Sequence, residues 1–424
     1  MSKPWSLSIK DLAPNPVTAP TTHSVTGSFI PPAIPSCFGF HAPDLFQSIA
    51  RCTALKRASA GLTAAILSGC EPLLRHLVDD IPSVFAVIDE VKDLEMAERT
   101  AFSGRVGAGI ADLFMSSIVD PFRNPAYLWR DAAQELIKKP SKGDLADFVY
   151  EYTSGEQVLV EAKGSITRLA SQTSADKRAK NAFKGQVARY LYHSPTGASG
   201  GTFGPIEHGY AIAIEALPGA TTAWTAAFTA VAEPNVPPGT TTTGSPTGSV
   251  ITTLRLGNYR AVFFLANAPA IVGEIDVFLD RARPQRVNQQ FWSVTCGGEE
   301  YLIGRHPIYQ EIADLPQKCG NWIFAINRKS ALVFLQALAI GFGATLPTGT
   351  VPPAPDALLV ARRTFSPGSS LVQSVDGFAM LMTDQITRVS KAVWEVDESE
   401  LKIGKESVES WAEREALNEH SEAA

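Results

Sequence analysis

Residues 143–190 read GDLADFVYEYTSGEQVLVEAKGSITRLASQTSADKRAKNAFKGQVARY. Two apolar runs, Ala146 to Tyr152 and Gln157 to Ala162, flank a Thr-Ser-Gly-Glu turn, the pattern of a β-hairpin. Side chains alternate faces along a strand, so Glu161 and Lys163 share one face with Leu159. A turn centred on Ser154 sets Asp147 opposite Glu161. Two carboxylates and one ammonium then converge at the end of a buried strand pair. Burying such charges is costly unless they pair or hold a cation. The stretch therefore points to a metal site and to hydrolysis.

Outward from the hairpin, the spacing predicts a helix from about Ser174 to His193, with Ser174 as its cap and Asp176 in its first turn. Between Lys163 and His193 lie Lys163, Arg168, Lys177, Arg178, Lys180, Lys184 and Arg189, opposed by Asp176 alone. Phosphate contacts by such side chains provide affinity for nucleic acid without regard to sequence. The bland reading of the same residues is a solvated helix face. Tyr210 to Ala216 reads as a strand covered on both faces, and Trp224 to Ala232 as another. Before the hairpin, a helix is expected from Leu94 to Ile118. Its stripe Phe102, Val106, Ile110, Leu113 faces inward, with Glu98, Arg105, Gly109 and Asp112 on an adjacent face. Ala126 to Ile137 reads as strand or helix, with AAQELI favouring helix. Together these make an α/β layer of about one domain.

Asp147, thirteen intervening residues and then Glu161-Ala162-Lys163 resemble the signature of the PD-(D/E)XK nuclease superfamily. The resemblance implies a restriction-endonuclease-like mixed sheet flanked by helices, with the Asp and the ExK motif on adjacent strands. It implies that Asp147 and Glu161 hold Mg²⁺, with Mn²⁺ as a substitute, and that Lys163 orients or activates the attacking water. The chemistry agrees, because Mg²⁺ takes one or two carboxylates plus waters and a substrate phosphate. Gln186 and Tyr190 form a Q-x-x-x-Y pair at i, i+4, similar to the extra motif of the RecB-like branch, where it organises the site and binds the strand. Ala146 stands where the family often has Pro, and Asp144 competes with Asp147 for the ligand role. For the first-helix Glu of the superfamily, Glu98 is the preferred match and Glu135 the second. The resemblance covers about Glu95 to Ala216. It implies a nuclease acting on DNA rather than RNA, of a kind found in bacterial restriction or phage defence. The alternative is a nuclease-like protein that binds nucleic acid, or serves assembly, without cleaving.

The remaining sequence sets the organisation of the 424 residues. Residues 1–36, rich in Pro, Thr and Ser, read as an extended N-terminal arm. Residues 37–94 read as helical, with Leu62, Ile66, Leu73, Leu74 and Leu77 as core positions. The nuclease-like domain takes 95–232, and 233–250 is a linker or long loop. Residues 251–390 read as a C-terminal α+β region: helix from Leu254 to Arg281 broken at Pro269, a hairpin about Gly297 and Gly298, then WIFAI as strand before a helix. Thr345 to Pro355 is a second break, Ala357 to Met382 strands, and Asp384 to Val393 a short helix. Residues 391–424 form an acidic tail, expected to be helical. From Lys391 onward there are ten acidic and four basic residues, which accounts for the whole formal charge of −6. The rest of the chain is neutral and free to meet nucleic acid.

Several classes are excluded. The five cysteines are scattered and lack CxxC pairs, which argues against structural zinc and fits a reducing, cytoplasmic setting. No apolar run reaches the roughly 18 residues of a membrane span, and the start of the chain does not read as a signal peptide. The histidines are isolated and no Walker A motif occurs. Gly197 to Gly201 matches G-x-S-x-G without the strand and helix of a nucleophile elbow. Gly104, Gly107 and Gly109 lie in a helical pattern and read as packing contacts. The regions outside the nuclease-like domain leave room for a protein partner or a homo-oligomer.

Overall fold

The computed structural model describes residues 4–18, 34–55, 59–78, 84–116, 146–151, 157–188, 191, 208–220, 223–233, 252–279, 287–305, 315, 319–343, 353–366, 368–396 and 401–406. The chain divides into two compact units, Met1–Asn258 with Thr364–Gly368, and Tyr259–Arg363 with Ser369–Ala424. Both mix helices and strands, so the α/β class expected from the sequence holds. Among the described residues no helix is long and apolar enough to cross a membrane.

In the first unit the described elements run β1 (Trp5–Thr18), β2 (Cys37–Phe40), α1 (Ala42–Ala54), α2 (Ala60–Leu77), α3 (Met96–Phe114), β3 (Phe148–Glu151), β4 (Gln157–Ile166), α4 (Gln172–Ala182), β5 (His208–Ala216) and β6 (Ala223–Glu233). One sheet takes the strands in the order β2-β1-β6-β5-β4-β3. The pairs β1–β6 and β4–β5 are parallel and the others antiparallel. Every residue of β5 is buried, as its unbroken apolar run requires of a strand covered on both faces.

The two faces of β4 serve different partners. Its even-numbered residues turn towards α3, and the approach is so close that glycine is needed on both sides. A Cβ on Gly164 would stand 1.8 Å from the Ser103 carbonyl oxygen, and one on Gly107 would stand 2.6 Å from the Gly164 nitrogen. The expected inward stripe of α3, Phe102, Val106, Ile110 and Leu113, is buried throughout. The odd-numbered residues of β4 turn towards α4, where Arg178 Nη2 donates to Ser165 Oγ at 3.3 Å. On α3, Asp112 is fully buried between neighbouring elements. It accepts from Arg51 Nη2 of α1 at 2.9 Å and from the Tyr150 hydroxyl of β3 at 2.9 Å.

Three expectations for this unit are corrected. The supposed N-terminal arm contains β1, whose Trp5, Leu7 and Ile9 alternate into the core and whose register on β6 shifts between Leu12 and Asn15, around Pro14. On α2 the buried positions are Thr63, Leu67, Cys70, Leu74 and Leu77, whereas Leu62 is 55% and Leu73 37% exposed. The helix after the hairpin is capped by Ser171, not Ser174. Ser171 Oγ accepts from the Ser174 N–H at 3.2 Å while Ser174 Oγ accepts from the Ser171 N–H at 2.9 Å, a reciprocal capping box. That helix then widens into a single π turn over Phe183–Val187.

The second unit begins within α5 (Thr253–Leu265) and continues through α6 (Pro269–Leu279), β7 (Val287–Cys296), β8 (Glu299–Gly304), β9 (Trp322–Asn327), α7 (Arg328–Gly341), β10 (Leu371–Gln373), β11 (Phe378–Met382), β12 (Arg388–Val396) and β13 (Leu401–Glu406). Its sheet, ordered β10-β11-β9-β8-β7-β12-β13, is antiparallel at every pairing. Gly297 and Gly298, both at positive φ, make the two-residue turn of the β7–β8 hairpin as the sequence predicts. One sheet face packs Trp292, Val294, Tyr301, Ile303, Ile323 and Leu381 together. Tyr259 and Phe334, from α5 and α7, stack with centroids 4.2 Å apart. The short helix expected over Asp384 to Val393 and the helical tail are corrected: residues 388–396 and 401–406 are strands. The linker beyond Glu233, the 126–137 helix and residues 407–424 lie outside the described residues.

Candidate active site

The ladder between β3 and β4 pairs Phe148 with Val160, Val149 with Leu159, Tyr150 with Val158 and Glu151 with Gln157. Continued by one residue, that register sets Asp147 opposite Glu161, and it is the register of a turn centred on residue 154. At this point side chains take over from the backbone ladder. The Asp147 N–H donates to Glu161 Oε2 at 3.0 Å, and the Ala162 N–H donates to Asp147 Oδ2 at 3.1 Å. Each carboxylate is thereby fixed by the opposite strand. Lys163, two residues on and on the same face, makes an ion pair with Glu161 Oε1.

The electrostatics of the pair are unbalanced. Glu161 is fully buried, and the Lys163 side chain is one-third exposed. Burial, and secondly the neighbouring Asp147 carboxylate, push the Glu161 pKa up from 4.5 to about 8, against the opposing pull of Lys163. Such a pair is relieved either by a proton or by a cation. Of the two Glu161 oxygens, Oε1 faces the Lys163 ammonium and Oε2 accepts from the Asp147 N–H, so a cation would share or displace these contacts.

Of the residues singled out in the sequence, Asp147, Glu161 and Lys163 are brought together. Gln186, in the π turn, lines the same cavity as Lys163, Lys177 and Arg178. Lys180 and Lys184 are exposed on other sides of the helix. Glu98, the expected third metal ligand, is exposed in the first turn of α3 and does not join the pair: among the described residues no three His, Cys, Asp or Glu come close enough to share an ion. Asp144, Glu135, Arg189 and Tyr190 lie outside the described residues. Among the described residues Asp147 and Glu161 are thus the two carboxylates that could hold a cation there, and Mg²⁺ is a cation that can be bound by so few, with water and phosphate in its other positions.

Sequence reasoning gave Ser174 only a capping role and missed Asn181 and Glu215. The first two line the cavity, and buried Glu215 pairs with Arg178 Nε. The signal was present in the three- and four-residue spacing of Ser174, Lys177, Arg178 and Asn181, which puts them on one helix face. No protein-family model, no curated protein and no solved structure matches the chain.

Proposed function

We propose that the first unit is a divalent-metal-dependent nuclease of the PD-(D/E)XK type, hydrolysing phosphodiester bonds in DNA in preference to RNA. The observation that carries this reading is the antiparallel register that sets Asp147 and Glu161 side by side, with Lys163 on the Glu161 carboxylate. The order of elements supports it: the Asp and the ExK residues lie at adjacent antiparallel strands, followed by a helix and by a strand parallel to the second. A mixed sheet with these residues at adjacent strands accords with what the sequence resemblance implies.

Asp147 and Glu161 would hold Mg²⁺ or Mn²⁺, which when bound lowers the pKa of water and offsets charge on phosphoryl oxygens. Lys163 keeps its ammonium beside that position, where it donates to the attacking water or to a phosphate oxygen. Lys177 and Arg178 provide the cationic wall along which a phosphate backbone would run. Gln186, in the π turn that continues the helix, lines the same cavity.

Cleavage of plasmid and of single-stranded DNA in Mg²⁺ and Mn²⁺ tests the reading. Activity in the wild type and its loss in Glu161→Ala and Lys163→Ala are expected. Absence of cleavage by the wild type with either metal, or equal cleavage by the variants, overturns it. One observation favours a second reading, a nuclease-like nucleic-acid-binding protein: the described residues supply two carboxylates and no third. Metal-independent binding of DNA without cleavage would select that reading.

A further inference from the structure

Lys163 and a solvent-exposed face of α4 border an open cavity of about 460 Å³. Its lining falls into two chemical halves. Lys177 and Arg178 make one cationic, while Asn181 and Gln186, farther along the helix, carry primary amides. Arg178 is held from the sheet side. Its Nε pairs with Glu215, which is 1% exposed, and its Nη2 reaches Ser165 Oγ at 3.3 Å. That leaves Nη1 without a hydrogen bond among the described residues, and no ion pair there engages Lys177. A positioned guanidinium and an uncompensated ammonium suit an anion of the phosphate kind.

The volume is far larger than one phosphate needs and falls in the range of pockets for small organic ligands, roughly 300–1,000 Å³. An amide such as that of Asn181 offers a donor and an acceptor together, the pattern that reads a base edge, adenine above all. We infer that this cavity seats one nucleotide, its phosphate on Lys177 and Arg178 and its base edge on Asn181. A base in a side cavity has left its stack, so the favoured substrate is single-stranded or frayed nucleic acid. The inference rests on the nuclease reading only for the origin of the nucleotide, the strand beside the scissile bond.

The test uses the full chain in EDTA and isothermal calorimetry with dAMP, dTMP and inorganic phosphate. Binding of dAMP at least tenfold tighter than inorganic phosphate is expected, with dTMP between. Lys177→Ala weakens every ligand, and Asn181→Ala weakens dAMP about tenfold but leaves inorganic phosphate unchanged, the worth of one well-placed hydrogen bond. Asn181→Asp, an isosteric change at an exposed position, gives the same loss without removing volume. Inorganic phosphate binding as tightly as dAMP, or dAMP binding unaffected in both Asn181 variants, overturns the inference. Glu161→Gln separates the two claims: Glu161 does not line the cavity, so cleavage is lost while dAMP still binds at least tenfold tighter than inorganic phosphate. Cleavage by the wild type without dAMP binding sinks the pocket alone; dAMP binding without cleavage sinks the nuclease alone.

Discussion

Replacing Glu161 with Gln removes a buried charge and keeps the shape, and its effect on stability depends on pH with a definite sign. The Glu161 carboxyl has a pKa of about 8 in the folded chain against an ordinary 4.5. Between those values the folded state holds a proton that the unfolded state has released. Wild-type stability therefore falls as pH rises from 4.5 to 8 and is flat beyond. Three to four pKa units at about 1.4 kcal/mol each set an upper scale of about 5 kcal/mol. Relaxation around the half-open Lys163 side reduces it, so about 2–4 kcal/mol is expected. Urea unfolding of both proteins at intervals from pH 5 to 9, in EDTA, isolates this group from every other titration. The two curves meet near pH 5 and separate with rising pH, Glu161→Gln being the more stable. At pH 8, Mg²⁺ raises wild-type stability and leaves the variant unchanged. Parallel curves across the whole range would refute the buried, proton-holding carboxyl, and with it the electrostatic argument for a cation.

Two further outcomes test the packing that carries the site. Gly107→Ala drives a methyl into the Gly164 backbone and lowers stability by about 2–3 kcal/mol or more. Gly104→Ala, one turn earlier with nothing within 4 Å of its Cβ position, raises stability by about 1 kcal/mol. Thermal melts distinguish them, and equal shifts would contradict the close α3–β4 crossing. Leu7→Ala, at a residue with no exposed surface, costs about 2–5 kcal/mol by urea unfolding; a change under about 0.5 kcal/mol would mean that β1 is not part of the core.

How far the sequence could be read depended on whether one period dominated locally. The hairpin was legible because two short apolar runs flank a polar turn, and of the registers they allow, the one centred on residue 154 sets residue 147 against 161. Alternation in Trp5-Ser6-Leu7-Ser8-Ile9 was equally regular, but it lies in a stretch whose Pro, Thr and Ser content reads as unstructured. On α2 apolar residues occur all round the helix, so periodicity gives the helix without choosing its buried face. Leu62 and Leu73 belong to the face that stays in water. At Arg388–Val396 three Val and a Trp already favour a strand, which the helix reading overlooked and the pairing with β7, almost a hundred residues away, realises. Proximity of Gln186 to Lys163 accords with what the resemblance implies for the Q-x-x-x-Y pair, and nothing in local periodicity gives it. The π turn that contains Gln186 has no local signature beyond Gly185.

The short strand β3 shows why charge is buried so densely near the candidate site. Its ladder to β4 has four paired residues, too few to fix register by backbone hydrogen bonds alone. Two consecutive side chains secure it instead, on opposite faces. Tyr150 reaches Asp112, itself held by Arg51. Glu151 accepts from the Thr252 hydroxyl at 2.7 Å and pairs with Arg255 at 3.3 Å. Both clusters are buried, and buried ion pairs add little net stability while losing one partner costs about 3–5 kcal/mol. Their consequence is therefore selective: a one-residue slip would turn Tyr150 away from Asp112, Glu151 away from Arg255 and Asp147 away from Glu161 at once. The same constraint that makes the slipped register expensive keeps the two carboxylates on one face, so the alignment of the candidate site is enforced from outside it.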